Sequence, residues 1–373
     1  MLDKSKVEKF KESFRGRVVQ PHDTDYDDTR KIYNAMIDKK PQVIAQCANV
    51  ADVILAVKFG RENNLETAIQ CGGHNGAGLA LADDGLVIDL SGMKGIRVDP
   101  QAKTVRVEGG CTWGEVDHAT HAFGLAVPSG IISTTGVSGL TLGGGHGYLT
   151  RKYGLTIDNL LEVDVVLADG TLLTASEKEN KDLFWAVRGG GGNFGVVTSF
   201  LFRAQPVDTV YGGPIIWPVD QAEDIIRWYQ DFIKNAPEDL YGWFGFHRVP
   251  SGSPLPDELH GQHGCVITWC YTGPMDKAEE VFKPIREKGN PVLDMTGPLP
   301  FPALQSMFDE LYYPPGLQWY WKADFVNELS DEAIDIHKNY GSNLPSELCT
   351  MHLYPINGTV HNVGKNETAF NFR

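Results

Sequence analysis

From residue 40 to residue 205 the apolar positions recur at two spacings in turn, that of a strand and that of a helix. Gln42-Val43-Ile44-Ala45-Gln46-Cys47 reads as a strand, after which Asn49 caps a helix. Its side chain can accept from the free amides of the first turn, with Asp52 three residues on and Val50, Val53, Ile54 and Val57 along one face. Leu65 to Gln70 is extended, Leu86-Val87-Ile88-Asp89-Leu90 is a buried strand, and Thr104-Val105-Arg106-Val107-Glu108 alternates as a half-exposed one. Trp113 to Phe123 has helical spacing. Val163–Ala168 and Thr171–Thr174 flank Asp169-Gly170, a turn pair that predicts a hairpin. Asp182–Val187 is a short helix stopped by Gly189, and Val196–Phe202 is one more strand.

The character changes after Pro206. Glycine thins out, aromatics such as Trp217, Trp228, Tyr229 and Trp243 accumulate, and helical patterns stand near 219–235 and 275–288. Ahead of the alternating region, Met1 to Lys11 reads as an amphipathic helix. Three regions follow: residues 1–37 as a helical segment packing on the next region, 38–207 as the glycine-bearing region, and 208–373 as a second domain. The aromatic content of that domain suits a lid over an organic molecule, although aromatics serve more often as core.

Composition narrows the function. With 42% hydrophobic and 22% charged residues the chain has a globular make-up, and its net charge of -15 argues against nucleic acid and anionic membranes as partners. No uncharged apolar run approaches the ~18 residues of a spanning helix. The N-terminus carries no apolar secretory core, so a cytoplasmic location is expected, and the sequons at Asn357 and Asn366 then carry no meaning. Cys47, Cys71, Cys111, Cys265, Cys270 and Cys349 form no Cys-x-x-Cys pair, which argues against zinc or a redox dithiol, and no metal site is expected. Cys265 and Cys270 differ by an odd number in one strand-like run and should lie on opposite faces.

Two glycine stretches, each with one histidine, carry the chemistry: Gln70-Cys71-Gly72-Gly73-His74-Asn75-Gly76-Ala77-Gly78, and Gly136 to Gly147 containing Gly143-Gly144-Gly145-His146-Gly147. Without a Cβ, backbone amides can approach a flat or anionic ligand, so the pair points to a large phosphate-bearing cofactor. Gly190, Gly192 and Gly195 spell Gly-x-Gly-x-x-Gly, but a helix precedes and a strand follows, the reverse of a dinucleotide-binding turn. No Gly-Lys-Ser/Thr is present.

The run Cys71-Gly72-Gly73-His74-Asn75 resembles the flavin loop of FAD-linked oxidases of the berberine bridge enzyme-like family, which have the PCMH-type, vanillyl-alcohol-oxidase fold. Gly85–Ser91, Ser133–Gly136, Gly143–Gly147, Arg151-Lys152-Tyr153-Gly154-Leu155 with Asp158-Asn159, and Asp182–Thr198 match the family in the same order. The resemblance implies an α+β chain: a PCMH-type FAD-binding domain of two small α+β subdomains, then a substrate domain with an antiparallel sheet and covering helices.

It also implies the site. FAD would lie on Gln70, Cys71, Gly72, Gly73, His74 and Asn75, with His74 bonded to the flavin 8α-methyl. Ser133, Thr134, Thr135 and Gly136 would follow, then Leu140, Gly143, Gly144, Gly145 and Gly147. Tyr153, Asn159, Gly195 and Val197 complete the cradle. Where many relatives bear a second, cysteinyl link this chain has Ile132, so one bond is expected, through His74 only. Gln70 replaces the family's usual arginine, and Cys71 stands where glycine is common.

The implied reaction takes a hydride from a C–H beside oxygen or nitrogen of a small-molecule substrate, with O2 or another electron acceptor to reoxidise the flavin. His146 is the leading polar candidate over the ring, and Gln318-Trp319-Tyr320-Trp321-Lys322 resembles a substrate-facing strand on which Tyr320 and Lys322 share a face. Relatives continue beyond the match to Thr368–Arg373 with a segment that returns to the flavin domain. A chain ending at Arg373 is therefore expected to lack part of the cleft, and an inactive flavin-binding or non-flavin protein is the alternative to an oxidoreductase. A sugar-binding aromatic module has only the aromatic content in its favour.

Overall fold

The computed structural model describes residues 2–253, 255–310 and 314–373. The elements of the alternating region fall where the spacing puts them. Asn49 accepts from the amides of Ala51 and Asp52 at 2.9 and 3.2 Å and starts the helix Val50–Glu62. The Asp52 carboxylate is used elsewhere: it takes the amides of Arg15, Gly16 and Ala48, each at 2.9 Å, and so ties the N-terminal segment down. The helix Lys4–Ser13 buries Val7 and Phe10 in that same core.

Two small sheets make up the glycine-bearing half. In the first, Val43–Gln46, Leu86–Asp89 and Thr67–Gln70 run parallel, with Arg17–Val19 antiparallel at one edge. The second is antiparallel, in the order Ile96–Asp99, Thr104–Glu108, Val196–Arg203, Leu160–Val166, Leu172–Ser176. Its core includes Trp113, Phe184, Phe200 and Phe202, all at most 1% exposed.

The third sheet is antiparallel and is built on Thr209–Pro218, His263–Tyr271 and Leu240–Arg248, with the short strand Met351–Leu353 on the last of these. Alternation sorts its two faces. Phe244, Phe246, Cys265 and Trp269 face the helices Ala222–Asn235, Ala278–Arg286 and Asp331–Gly341. Tyr241, Trp243 and Cys270 face the other way and pack with Ile131, Tyr148 and Leu149 of the glycine-bearing half. Cys265 and Cys270 do lie on opposite faces, and all the cysteines are free thiols. The expected strand at 318–322 is not formed. Trp319 is buried there, but Tyr320 and Lys322 lie in irregular, exposed chain with no ladder partner among the described residues.

Arg151, 2% exposed, fastens the halves together. It donates to the carbonyls of Ala236 and Pro237 at 3.0 and 2.9 Å, to that of Leu240, and to Asn357 Oδ1 at 2.7 Å. Beyond Asn357 the chain leaves the third sheet and docks on the glycine-bearing half. The buried pair Arg373–Asp158 (2.8 Å) and the bond from Trp185 Nε1 to the Asn366 carbonyl (2.8 Å) hold it there.

Candidate active site

His74 emerges from the strand Thr67–Gln70 through a turn in which Gly73 has φ +68°, a conformation that favours glycine. The imidazole is held on one face and one edge. Tyr33 stacks on it with ring centroids 4.0 Å apart and planes 18° from parallel, and Nε2 lies 3.1 Å from Thr134 Oγ1. Gly72 and Gly136 let the two loops touch: a Cβ on Gly136 would lie 2.5 Å from Cys71 Sγ. Cys71 is thus a packed thiol whose pKa burial pushes up. Gln70 Oε1 is buried without a partner among the described residues.

The second loop is fixed from both sides. Trp113 and Gly114 at the start of the helix Trp113–His121 donate to the carbonyls of Thr135 and Ser133 at 3.0 and 2.8 Å. From the second half of the chain, Asp309 accepts the Ser133 amide at 3.0 Å and the Ser133 hydroxyl. Thr112, Gly114, Glu115, His118, Ser133 and Thr134 line a cleft of about 410 Å³. Burial lowers the His74 pKa to about 4, so the ring is neutral near pH 7.

The remaining glycines of the second stretch serve the chain's own path. Gly143 caps the helix Val137–Leu142, and Leu140 packs against Gly130 and Gly145. A Cβ on Gly144 would lie 2.7 Å from the Phe370 ring, and one on Gly147 would meet the Ser129 carbonyl. Asn159 braces the turn after Tyr153, donating to the carbonyls of Tyr153 and Leu155 at 2.9 and 3.0 Å. Gly195 (φ +144°) starts the strand that buries Val197.

A second cluster gathers where the glycine stretch meets the third sheet. His146 lies 5.0 Å from Tyr354, ring to ring, and its Nδ1 is buried without a partner among the described residues. The Tyr354 hydroxyl and His352 Nδ1 are 2.6 Å apart, and the rings of His352 and His247 lie 5.1 Å apart. Gly245 pairs with His352 across the ladder. A Cβ at Gly245 would lie 2.8 Å from His247 Nε2 and 2.9 Å from His352 Cδ2, so glycine makes room for both rings. Burial lowers His146 to about 4 and His352 to about 3.

The structure therefore places His74 and Thr134 together and puts His146 with Tyr354 and His352, which the sequence reading missed. The alternation His352-x-Tyr354 was the available signal, but a strand of three residues is too short to stand out. Tyr320 and Lys322 do lie side by side, with Nζ 5.7 Å from the ring centroid, at a position where Tyr320 is 76% exposed.

The chain matches the FAD binding domain family over residues 41–176. A FAD-linked oxidoreductase of Dictyostelium discoideum is 34% identical over 95% of this chain and 75% of its own length. The (R)-6-hydroxynicotine oxidase of Paenarthrobacter nicotinovorans is 40% identical over 76% of this chain and 60% of its own. Among solved structures, 6-hydroxy-D-nicotine oxidase from Arthrobacter nicotinovorans superposes with a TM-score of 0.74 at 30% identity, covering 82% of this chain and 66% of that one. BBE-like 1 of Physcomitrella patens gives 0.84 at 26% identity, covering 98% and 80%. No helix among the described residues is long and apolar enough to cross a membrane. With a relative 34% identical over nearly all of this chain and three quarters of its own length, and with a solved BBE-like structure superposing along 98% of it, the chain belongs to the FAD-linked oxidoreductases of the PCMH-type, berberine bridge enzyme-like fold.

Proposed function

We propose that this oxidoreductase carries FAD on the loop Gln70–Asn75, singly bonded through His74, and takes a hydride from a C–H beside oxygen or nitrogen of a small organic molecule. The observation that carries the reading is His74: a neutral imidazole on a glycine turn, held 3.1 Å from the hydroxyl of Thr134, a residue that lines the cleft. Flavin fits this place because Gln70 Oε1 is buried there without a partner among the described residues, and because the His74 imidazole is neutral near pH 7. Bound FAD supplies a two-electron acceptor, which O2 or another oxidant then restores.

The proton is the chain's task. His146, whose buried Nδ1 has no hydrogen-bond partner among the described residues, is the candidate proton acceptor, and the Tyr354 hydroxyl, 2.6 Å from His352 Nδ1, is a second group that can pass a proton. Both histidines are held below the usual histidine range by burial, so they are neutral well into acid. The reductive step is expected to be flat in pH above about 5 as far as His146 is concerned, and to fail as pH drops towards its value of about 4. A relative named as a hydroxynicotine oxidase supports a nitrogen-bearing organic molecule as one substrate type.

Anaerobic mixing of the holoprotein with alcohols, sugars and cyclic amines tests this reading. At least one class should bleach the flavin's visible absorbance in the wild type. If no class does so, an oxidoreductase acting on such C–H bonds is excluded.

A further inference from the structure

Thr134 is exposed in the cleft, yet its position is dictated by a residue far away in sequence. Asp309 holds Ser133 at both the amide and the hydroxyl, and the next residue places its own hydroxyl 3.1 Å from His74 Nε2. Tyr33, whose amide donates to the Gly73 carbonyl at 3.2 Å, holds the same ring by its face. A histidine fixed at both face and edge presents its two nitrogens unequally.

We propose that Thr134, held in place by Asp309 through Ser133, is a positioning residue that keeps the proton on His74 Nε2 and thereby selects Nδ1 as the nitrogen that bonds to the flavin. This rests on the singly linked FAD proposed above. With the Thr134 hydroxyl as acceptor, the edge of the ring facing it carries the hydrogen. Nδ1, which has no hydrogen-bond partner among the described residues, keeps its lone pair.

The step balances as follows. A bond forms between Nδ1 and the 8α carbon, while one C–H of the 8α-methyl and the Nε2–H are broken. The two electrons released, with two protons, reduce the flavin ring. Dioxygen or another two-electron acceptor then reoxidises it, with one hydrogen peroxide formed per link when dioxygen serves. The Thr134 hydroxyl is the first stop for the Nε2 proton.

The test is the rate and the site of attachment, neither of which needs substrate turnover. Wild-type protein, Thr134→Val, Thr134→Ser and Asp309→Ala are supplied with FAD, and acid-precipitable flavin is followed alongside total bound flavin. The linked histidyl-flavin is then released by proteolysis and compared with authentic Nδ1- and Nε2-linked standards. Thr134→Val should slow attachment about tenfold, the effect of one lost hydrogen bond, and Thr134→Ser should restore it. Asp309→Ala should slow it less, and the wild-type link should be through Nδ1. Attachment by Thr134→Val at the wild-type rate, or a wild-type link through Nε2, overturns the proposal. A wild type that binds FAD but attaches none overturns the single covalent link as well, and is told apart by its flavin being released on precipitation.

Discussion

The loop at His74 and the sheet face at Tyr354 meet along one junction, yet they are built by opposite means. The loop is mostly backbone: Gly72 and Gly136 bring two turns into contact, Gly73 takes the left-handed turn before His74, and one side chain, Thr134, completes it. The sheet face is mostly side chain, with His146, Tyr354, His352 and His247 converging from segments distant in sequence. Their pKa shifts have one cause, loss of solvent, and both sets of imidazoles end up neutral. A backbone-built site is suited to holding a ligand common to a whole family, whereas a side-chain-built face can change its chemistry by single substitutions. On this account the first region carries the cofactor and the second the proton.

Substitutions that strike one region and spare the other test the division. The largest effect is expected from His146→Ala and Tyr354→Phe, each slowing anaerobic flavin reduction by about 10²–10³-fold while flavin content stays at the wild-type level. If either loses flavin instead, the two regions are not separate. Gly245→Ala comes next: its methyl must displace His247 or His352, which is expected to cost about 1–3 kcal/mol in denaturant unfolding and to slow reduction about tenfold. Tyr320→Phe should change reduction by less than about threefold, because its exposed ring leaves its hydroxyl in water. A larger loss would move the proton acceptor to the segment 318–322.

Asp117 gives a smaller effect, read in stability. It is buried on the helix Trp113–His121 with neither carboxylate oxygen partnered among the described residues, and burial, then Asp309, raises its pKa well above the usual value. A folded-state pKa above the unfolded one means that folding is favoured at low pH, and that this contribution is lost as pH rises through the folded value. Asp117→Asn should therefore match wild type near pH 4 and melt about 2–4 °C higher at pH 8. Equal melting at both would show that the carboxyl is compensated.

The same contrast explains what could be read from the chain alone. Strands such as Leu86–Asp89 and the cap at Asn49 were legible because local spacing and one side chain decide them. The turn that presents His74 was legible because glycine is needed there for backbone reasons that leave a mark in sequence. The roles of Gly144 and Gly147 were not, since they make room for Phe370 and for the Ser129 carbonyl, neither of which is adjacent. Asp309 and Tyr354 were invisible because their partners, Ser133 and His146, are brought to them only by the packing of the third sheet on the glycine-bearing half. The supposed strand at 318–322 failed for a related reason: its alternation buries Trp319 against Tyr33, and among the described residues no neighbouring strand receives a ladder.

The most direct test of the account is acid precipitation of the purified protein after loading with FAD, with in-gel flavin fluorescence and intact mass, for the wild type and His74→Ala. The account predicts a fluorescent wild-type pellet one FAD heavier than the bare chain, and a His74→Ala pellet that is colourless although the variant still binds FAD before precipitation. Flavin released from the wild type, or retained by His74→Ala, would contradict it.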